Sequence, residues 1–155
     1  MTKGKNYTII INDLKKYCSI QERCEWDIMQ KMKTLPISKI TQTKILKKLI
    51  KEKYLDEERY AKSFCRGKFK INKWGRNKIK AEMKTKNISE LCIYKGLKEI
   101  NPHDYHQELE NQYHKKKNIT HEKNSYKKET KIALYLISKG YERDLIWEKI
   151  RASKE

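Results

Sequence analysis

At 155 residues, with 37% hydrophobic and 37% charged, the chain is too polar for one thick globular core and suits several thin helix–helix cores instead. Two prolines and five glycines leave little punctuation for a strand-and-turn fold, and no apolar run approaches the ~20 residues of a membrane span. The net charge of +18 excludes an indifferent surface as the first reading: it points to a polyanionic neighbour, nucleic acid before an acidic protein, with a merely solvated lysine-rich face as the alternative.

Taken in order, residues 1–7 read as a flexible tail without the charged-then-apolar layout of a secretory signal, so a cytoplasmic protein is expected. Thr8–Tyr17 contains a β-branched run, Ile9-Ile10-Ile11, but Leu14 and Tyr17 continue it at helical spacing. Ser19 with Glu22 three positions on is a capping-box pattern for a second helix, whose buried face is Cys24, Ile28 and Met32. Leu35-Pro36-Ile37-Ser38 ends that helix, because Pro36 has no N–H to continue the ladder. A third helix follows, with Ile45, Leu46, Leu49 and Ile50 on one face and Lys44, Lys47, Lys48 and Lys51 opposite.

Tyr54–Ser89 is the most informative stretch. Asp56 caps a helix whose first turn carries Glu57 and Glu58, favourable beside the positive end of the dipole. Tyr60, Ala61, Phe64 and Ile71 form an apolar stripe, while Arg59, Lys62, Arg66, Lys70 and Lys73 recur three or four apart on another face. Asn72–Gly75 is a corner, after which Ile79, Ala81 and Met83 restart the pattern. Ser89 caps the next helix, with Leu91, Ile93, Leu97 and Ile100 apolar and Gly96 inside it, which predicts a close helix crossing. Pro102 opens a helix carrying Tyr105, Leu109, Gln112 and Tyr113, and residues 115–125 read as a polar linker or frayed helix end. Ile132, Leu134, Leu136 and Ile137 mark another helix, closed at Lys139-Gly140, and Leu145, Ile146, Trp147 and Ile150 mark the last.

The corners recur. Met32–Ser38 (MKTLPIS), Met83–Ser89 (MKTKNIS) and Leu136–Glu142 (LISKGYE) occupy equivalent places, with Ile28, Ile79 and Ile132 four residues before each. A period of about fifty residues predicts an all-α, elongated tandem array of three three-helix repeats, over 8–53, 54–101 and 102–155.

Catalytic signals are weak. Asp56, Glu57 and Glu58 are explained by helix-start electrostatics, and His103, His106, His114 and His121 lack zinc-ligand company. There is no Gly-rich phosphate loop and no nucleophile elbow, and Cys18, Cys24, Cys65 and Cys92 form no CxxC pair. The chain is read as non-enzymatic, without metal or cofactor. The candidate partner or DNA-binding residues are Arg59, Lys62, Arg66, Lys70, Lys73, Trp74, Arg76 and Lys80. For Trp74 two readings stand, stacking on a base or partner side chain and plugging the corner as a core aromatic.

Leu55-Asp56-Glu57-x-Arg59-Tyr60-Ala61, Asn72-Lys73-Trp74-Gly75-Arg76, Lys86-Asn87-Ile88 and Lys139-Gly140-Tyr141, in this order and spacing, resemble the bacterial RecX regulatory proteins over nearly the whole chain. Tyr17-Cys18-Ser19 followed by Glu22-Arg23-Cys24 is similar to the version in the Bacteroidota branch. Asn87 stands where the family usually has glycine, and asparagine also tolerates the left-handed conformation. The resemblance implies a monomeric modulator of the RecA recombinase, binding its filament on single-stranded DNA and limiting strand exchange and ATP hydrolysis in DNA repair and the SOS response. The alternatives are a sequence-tolerant DNA-binding protein of helix-turn-helix type and an adaptor for an acidic protein.

Overall fold

The computed structural model describes residues 2–154, with side chains from Asn6 onward, and all its regular elements are α-helices. They are α1 (Thr2–Ile20), α2 (Glu25–Met32), α3 (Lys39–Lys51), α4 (Glu57–Lys70), α5 (Arg76–Thr85), α6 (Glu90–Leu97), α7 (Pro102–Ile119), α8 (Ser125–Ser138) and α9 (Arg143–Ala152). The extensive backbone approaches run between α2 and α3, among α4, α5 and α6, and from α8 to α7 and α9, so the chain is a tandem array of three three-helix units. Among the described residues no helix is long and apolar enough to cross a membrane.

Local chemistry sets most boundaries. The side chains of Ser38, Asp56, Ser89, Asn101 and Asn124 each accept a backbone N–H in the first turn of the helix that follows. Pro102 sits in the first turn of α7, where its missing N–H costs nothing. Two boundaries depart from expectation. α1 begins at Thr2, within the segment read as a tail, and runs to Ile20. Ser19 therefore lies in its last turn, its Oγ–H donating to the Lys16 carbonyl (2.7 Å), and does not cap α2. The cap is Cys24, whose backbone N–H donates to Asp27 Oδ2 (3.0 Å); the box sits five residues further on, because Ile28 and Met32 must face the core. The polar linker is also shorter than read, since α7 continues to Ile119 and α8 starts at Ser125.

Two of the repeating corners share one backbone geometry. Ile88 N–H donates to Met83 O and Tyr141 N–H to Leu136 O (both 3.1 Å), with Asn87 and Gly140 in the left-handed region at φ 60° and 101°. The corresponding residue of the first corner is Pro36, whose ring forbids positive φ. That corner closes instead through Leu35 N–H to Met32 O (3.0 Å) and Ile37 N–H to Leu35 O (2.8 Å).

The buried apolar residues form two clusters rather than three. One holds Ile11, Leu14, Ile28, Met32, Ile45, Leu49 and Leu55, the core of the first unit. The other runs without a break through the second and third units, from Tyr60 and Cys65 to Tyr141, Ile146 and Ile150, and takes in Cys24 from the first. Gly96 is a close crossing, as its place in α6 predicts: a Cβ there would lie 2.7 Å from the Ala61 carbonyl oxygen of α4. Gly67, in the interior of α4, is different, because a Cβ there would meet nothing within 4 Å.

These two glycines give opposite expectations. Gly96→Ala should destabilise the chain by about 1–3 kcal/mol through overpacking against α4. Gly67→Ala should stabilise it by about 0.5–1 kcal/mol by restricting the unfolded backbone. Urea unfolding of both variants reads the signs directly.

Candidate partner-binding surface

The face predicted to carry binding is built on α4 and the corner that follows. Asp56 accepts the Arg59 N–H (2.9 Å), and Glu58 pairs with Lys62 one turn on (3.2 Å) and with Lys95 of α6 (2.8 Å). Hydrogen bonds from Lys95 and Lys62 hold the Glu58 carboxyl below its usual range. Arg66 pairs with Glu99 (2.7 Å) and Lys73 with Glu108 (3.7 Å). Lys70 and Lys80 are exposed and make no ion pair among the described residues.

Arg59 is committed elsewhere. Its Nε donates to Glu22 Oε2 (2.7 Å), and Nη2 donates to the carbonyls of Lys53 (2.9 Å) and Tyr54 (3.4 Å). It thus ties the α1–α2 turn to the chain leaving α3. A second tie runs from Lys86, in the α5–α6 turn, to Asp27 of α2 and to Tyr60 Oη, each 3.1 Å. Burial opposes charge on Lys86, but these two hydrogen bonds outweigh it and hold its pKa well above the ordinary lysine value.

Arg76 and Trp74 belong to a joint between the second and third units. Gly75 N–H donates to Lys139 O (2.8 Å) and Asn77 N–H to Gly140 O (2.9 Å), backbone to backbone between two corners. A Cβ on Gly75 would run into the Gly140 backbone, so this approach requires glycine. Tyr141 Oη donates to the Lys73 carbonyl (2.9 Å), and Lys73 itself is left-handed at φ 60°. Beneath them the Arg76 guanidinium lies 3.8 Å from the Tyr105 ring centroid and pairs with Glu142 (2.8 Å). Tyr105 Oη accepts the Arg76 N–H (3.0 Å) and donates to Glu142. Trp74 is half-buried against the shared core, with the ammonium groups of Lys68 and Lys78 at 4.9 and 4.5 Å over its ring.

The eight predicted residues therefore divide. Lys62, Arg66, Lys70, Lys73 and Lys80 are surface cations, whereas Arg59, Arg76 and Trp74 are built into the joints. Lys68 and Lys78 escaped the sequence reading. Neither carried a local signal, because Trp74 precedes the Gly75 cap of α5 and lies on no helical face with Lys68 or Lys78.

Residues 56–97 match the family profile described as RecX, second three-helix domain, and residues 104–150 match RecX, third three-helix domain. The chain belongs to the RecX family. Regulatory protein RecX of Bacillus cereus (strain AH820) is 26% identical over 133 residues, covering 84% of this chain and 48% of the relative. The homologues of Bacillus anthracis (strain A0248) and Bacillus thuringiensis (strain Al Hakam) show the same identity and coverage. This RecX chain spans about half the length of those relatives. Two crystal structures share its fold. One of regulatory protein RecX aligns with a TM-score of 0.85 at 23% identity, covering 97% of this chain and 75% of the other. RecX from Lactobacillus salivarius aligns at 0.82 with 22% identity, covering 96% and 97%.

The joints make stability depend on alkaline pH. Burial raises the pKa of Tyr60 to about 12, and burial also raises those of Tyr105 and Tyr141, helped at Tyr105 by its bond to Glu142. Each group, like Lys86, keeps its proton in the folded chain where the unfolded chain has released it. Their contribution is complete below about pH 10 and is lost as pH rises toward the folded values. The urea midpoint should thus fall steeply above about pH 10, and Tyr141→Phe, which removes one of these groups, should flatten that slope.

Proposed function

We propose that this chain binds the helical filament of the RecA recombinase on single-stranded DNA and restrains its ATP hydrolysis and strand exchange, as a regulator of recombination, DNA repair and the SOS response. The observation that carries this reading is the match to RecX over the second unit, which bears the basic face, and over the third. The chain works as a cytoplasmic monomer, by binding rather than catalysis, and needs no metal or cofactor.

The geometry supports a division of labour among the cations. Lys70 and Lys80 stand ready for phosphates or filament carboxylates. Lys62, Arg66 and Lys73 sit in surface ion pairs, which gain little in water's high dielectric, so they can exchange their carboxylates for a partner's at little cost. Tandem units suit a helical polymer, because contacts to successive protomers multiply weak affinities through effective concentration. Arg59 and Arg76 contribute indirectly, by holding the units in register.

ATP turnover by the recombinase on single-stranded DNA, followed as this chain is added, tests the reading. Inhibition at substoichiometric ratios is expected. Replacing Arg66, Lys70 and Lys80 together by alanine should raise the concentration needed about tenfold or more, ~1.4 kcal/mol per tenfold step, with helix content unchanged. Arg76→Ala should instead lower the unfolding temperature by breaking the joint. Absence of any recombinase effect, with binding to naked DNA that collapses as salt rises, would select the sequence-tolerant DNA-binding reading that the +18 charge also favours.

A further inference from the structure

A cleft of about 330 Å³ separates the α1–α2 turn from α4. Its α4 wall comprises Tyr60, Ser63, Phe64, Gly67 and Lys68, continued by Ile71 at the C-cap, with Phe64, Gly67, Lys68 and Ile71 spaced i, i+3, i+4 and i+7. In the sequence Phe64 and Ile71 read as core, together with Tyr60 and Ala61. The structure separates them: Ile71 is 81% exposed, Phe64 is half-buried at the edge of the core beside Tyr60, and Ala61, Cys65 and Phe69 take the core face.

Gly67 is the second observation. Gly75, Gly96 and Gly140 each leave no room for a Cβ, so packing accounts for them. Nothing crowds Gly67, yet it sits mid-helix, where glycine costs about 1 kcal/mol relative to alanine. The fold does not require it. What it provides is bare backbone in the middle of the cleft wall, open to close approach.

The charges specify the occupant. Glu22 and Asp27 line the opposite side, but each is engaged, by Arg59 and Lys86 respectively. Arg23 stacks 3.6 Å from the Tyr17 ring centroid and donates to the Tyr17 carbonyl, and Lys68 lies over Phe64 and Trp74. Neither pairs with a carboxylate among the described residues. The cleft thus offers an apolar wall, a bare helical backbone and two cations awaiting anionic partners.

We infer that this cleft docks a protein segment in which carboxylates flank an apolar side chain. The apolar group rests on Phe64 and Ile71, the segment's backbone crosses Gly67, and its carboxylates meet Arg23 and Lys68. A nucleic-acid strand fits less well, because its phosphates would outnumber the two cations and its backbone has no apolar side chain to lay on the exposed Ile71. The inference stands apart from the identity of the filament, since any segment of this chemistry tests it.

The experiment uses the full chain and three fluorescein-labelled probes: a peptide alternating glutamate with leucine and phenylalanine, an all-glutamate peptide of equal length, and an oligothymidylate. Anisotropy should show the mixed peptide binding more tightly than the all-glutamate one. Gly67→Leu, which fills the cleft with a residue that favours helix, should weaken the mixed peptide about tenfold and leave the oligothymidylate unchanged. Lys68→Glu, a surface change that leaves the cleft open, should weaken it comparably. Equal binding of the two peptides, or a mixed peptide indifferent to both substitutions, would overturn the inference. So would loss of the oligothymidylate alone, which would assign the cleft to nucleic acid.

Discussion

The architecture of the second and third units depends on two corners meeting backbone to backbone. Gly75 and Gly140 approach so closely that neither tolerates a side chain, and the resulting N–H to carbonyl bonds join segments more than sixty residues apart in sequence. Around that contact everything is polar but satisfied: Tyr105 receives one hydrogen bond and gives another, Arg76 lies over its ring, and Glu142 accepts from both. A buried polar group costs free energy unless it is paired, so such a network holds one arrangement of the two units and penalises others. The unbroken apolar cluster beneath supplies the bulk of the burial.

That dependence reshapes the meaning of the basic residues. A stripe of cations along α4 reads as a single binding face, but its first arginine and the arginine beyond it are structural fasteners, one at each joint. Both are arginine, whose planar fork can satisfy several acceptors at once; Arg59 engages one carboxylate and two carbonyls. Apart from Arg66, the cations left at the surface are lysines, compact point charges that lose little when they exchange one anion for another. Residue chemistry therefore sorts the stripe into what holds the molecule together and what it presents.

Much of this was legible in the sequence because it is local. Asp56 and Ser89 cap the helices expected of them, Pro102 opens its own, Asn87 and Gly140 adopt positive φ, and Gly96 marks a close crossing. The misreadings share a cause. Ser19 and Glu22 formed a valid capping pattern, but tertiary burial of Ile28 and Met32 gave the cap to Cys24. Ile71 had helical spacing, yet spacing alone does not say where the core ends, and it stands exposed past the end of α4 while Phe64 packs at the core's edge. Lys53 and Lys73 adopt positive φ, for which lysine gives no sign. The Arg76–Glu142 pair spans 66 positions, beyond the reach of any local rule.

The separation of the two apolar clusters has a consequence for how the molecule comes apart. The first unit meets its neighbour through the Arg59–Glu22 and Lys86–Asp27 pairs and a few apolar insertions, Cys24 and Trp26 on one side and Leu55 on the other, rather than through one continuous interior. A unit with its own apolar cluster is the kind that opens separately. Amides of α3 should therefore exchange with solvent ahead of those of α4 and α8, which lie on the larger cluster.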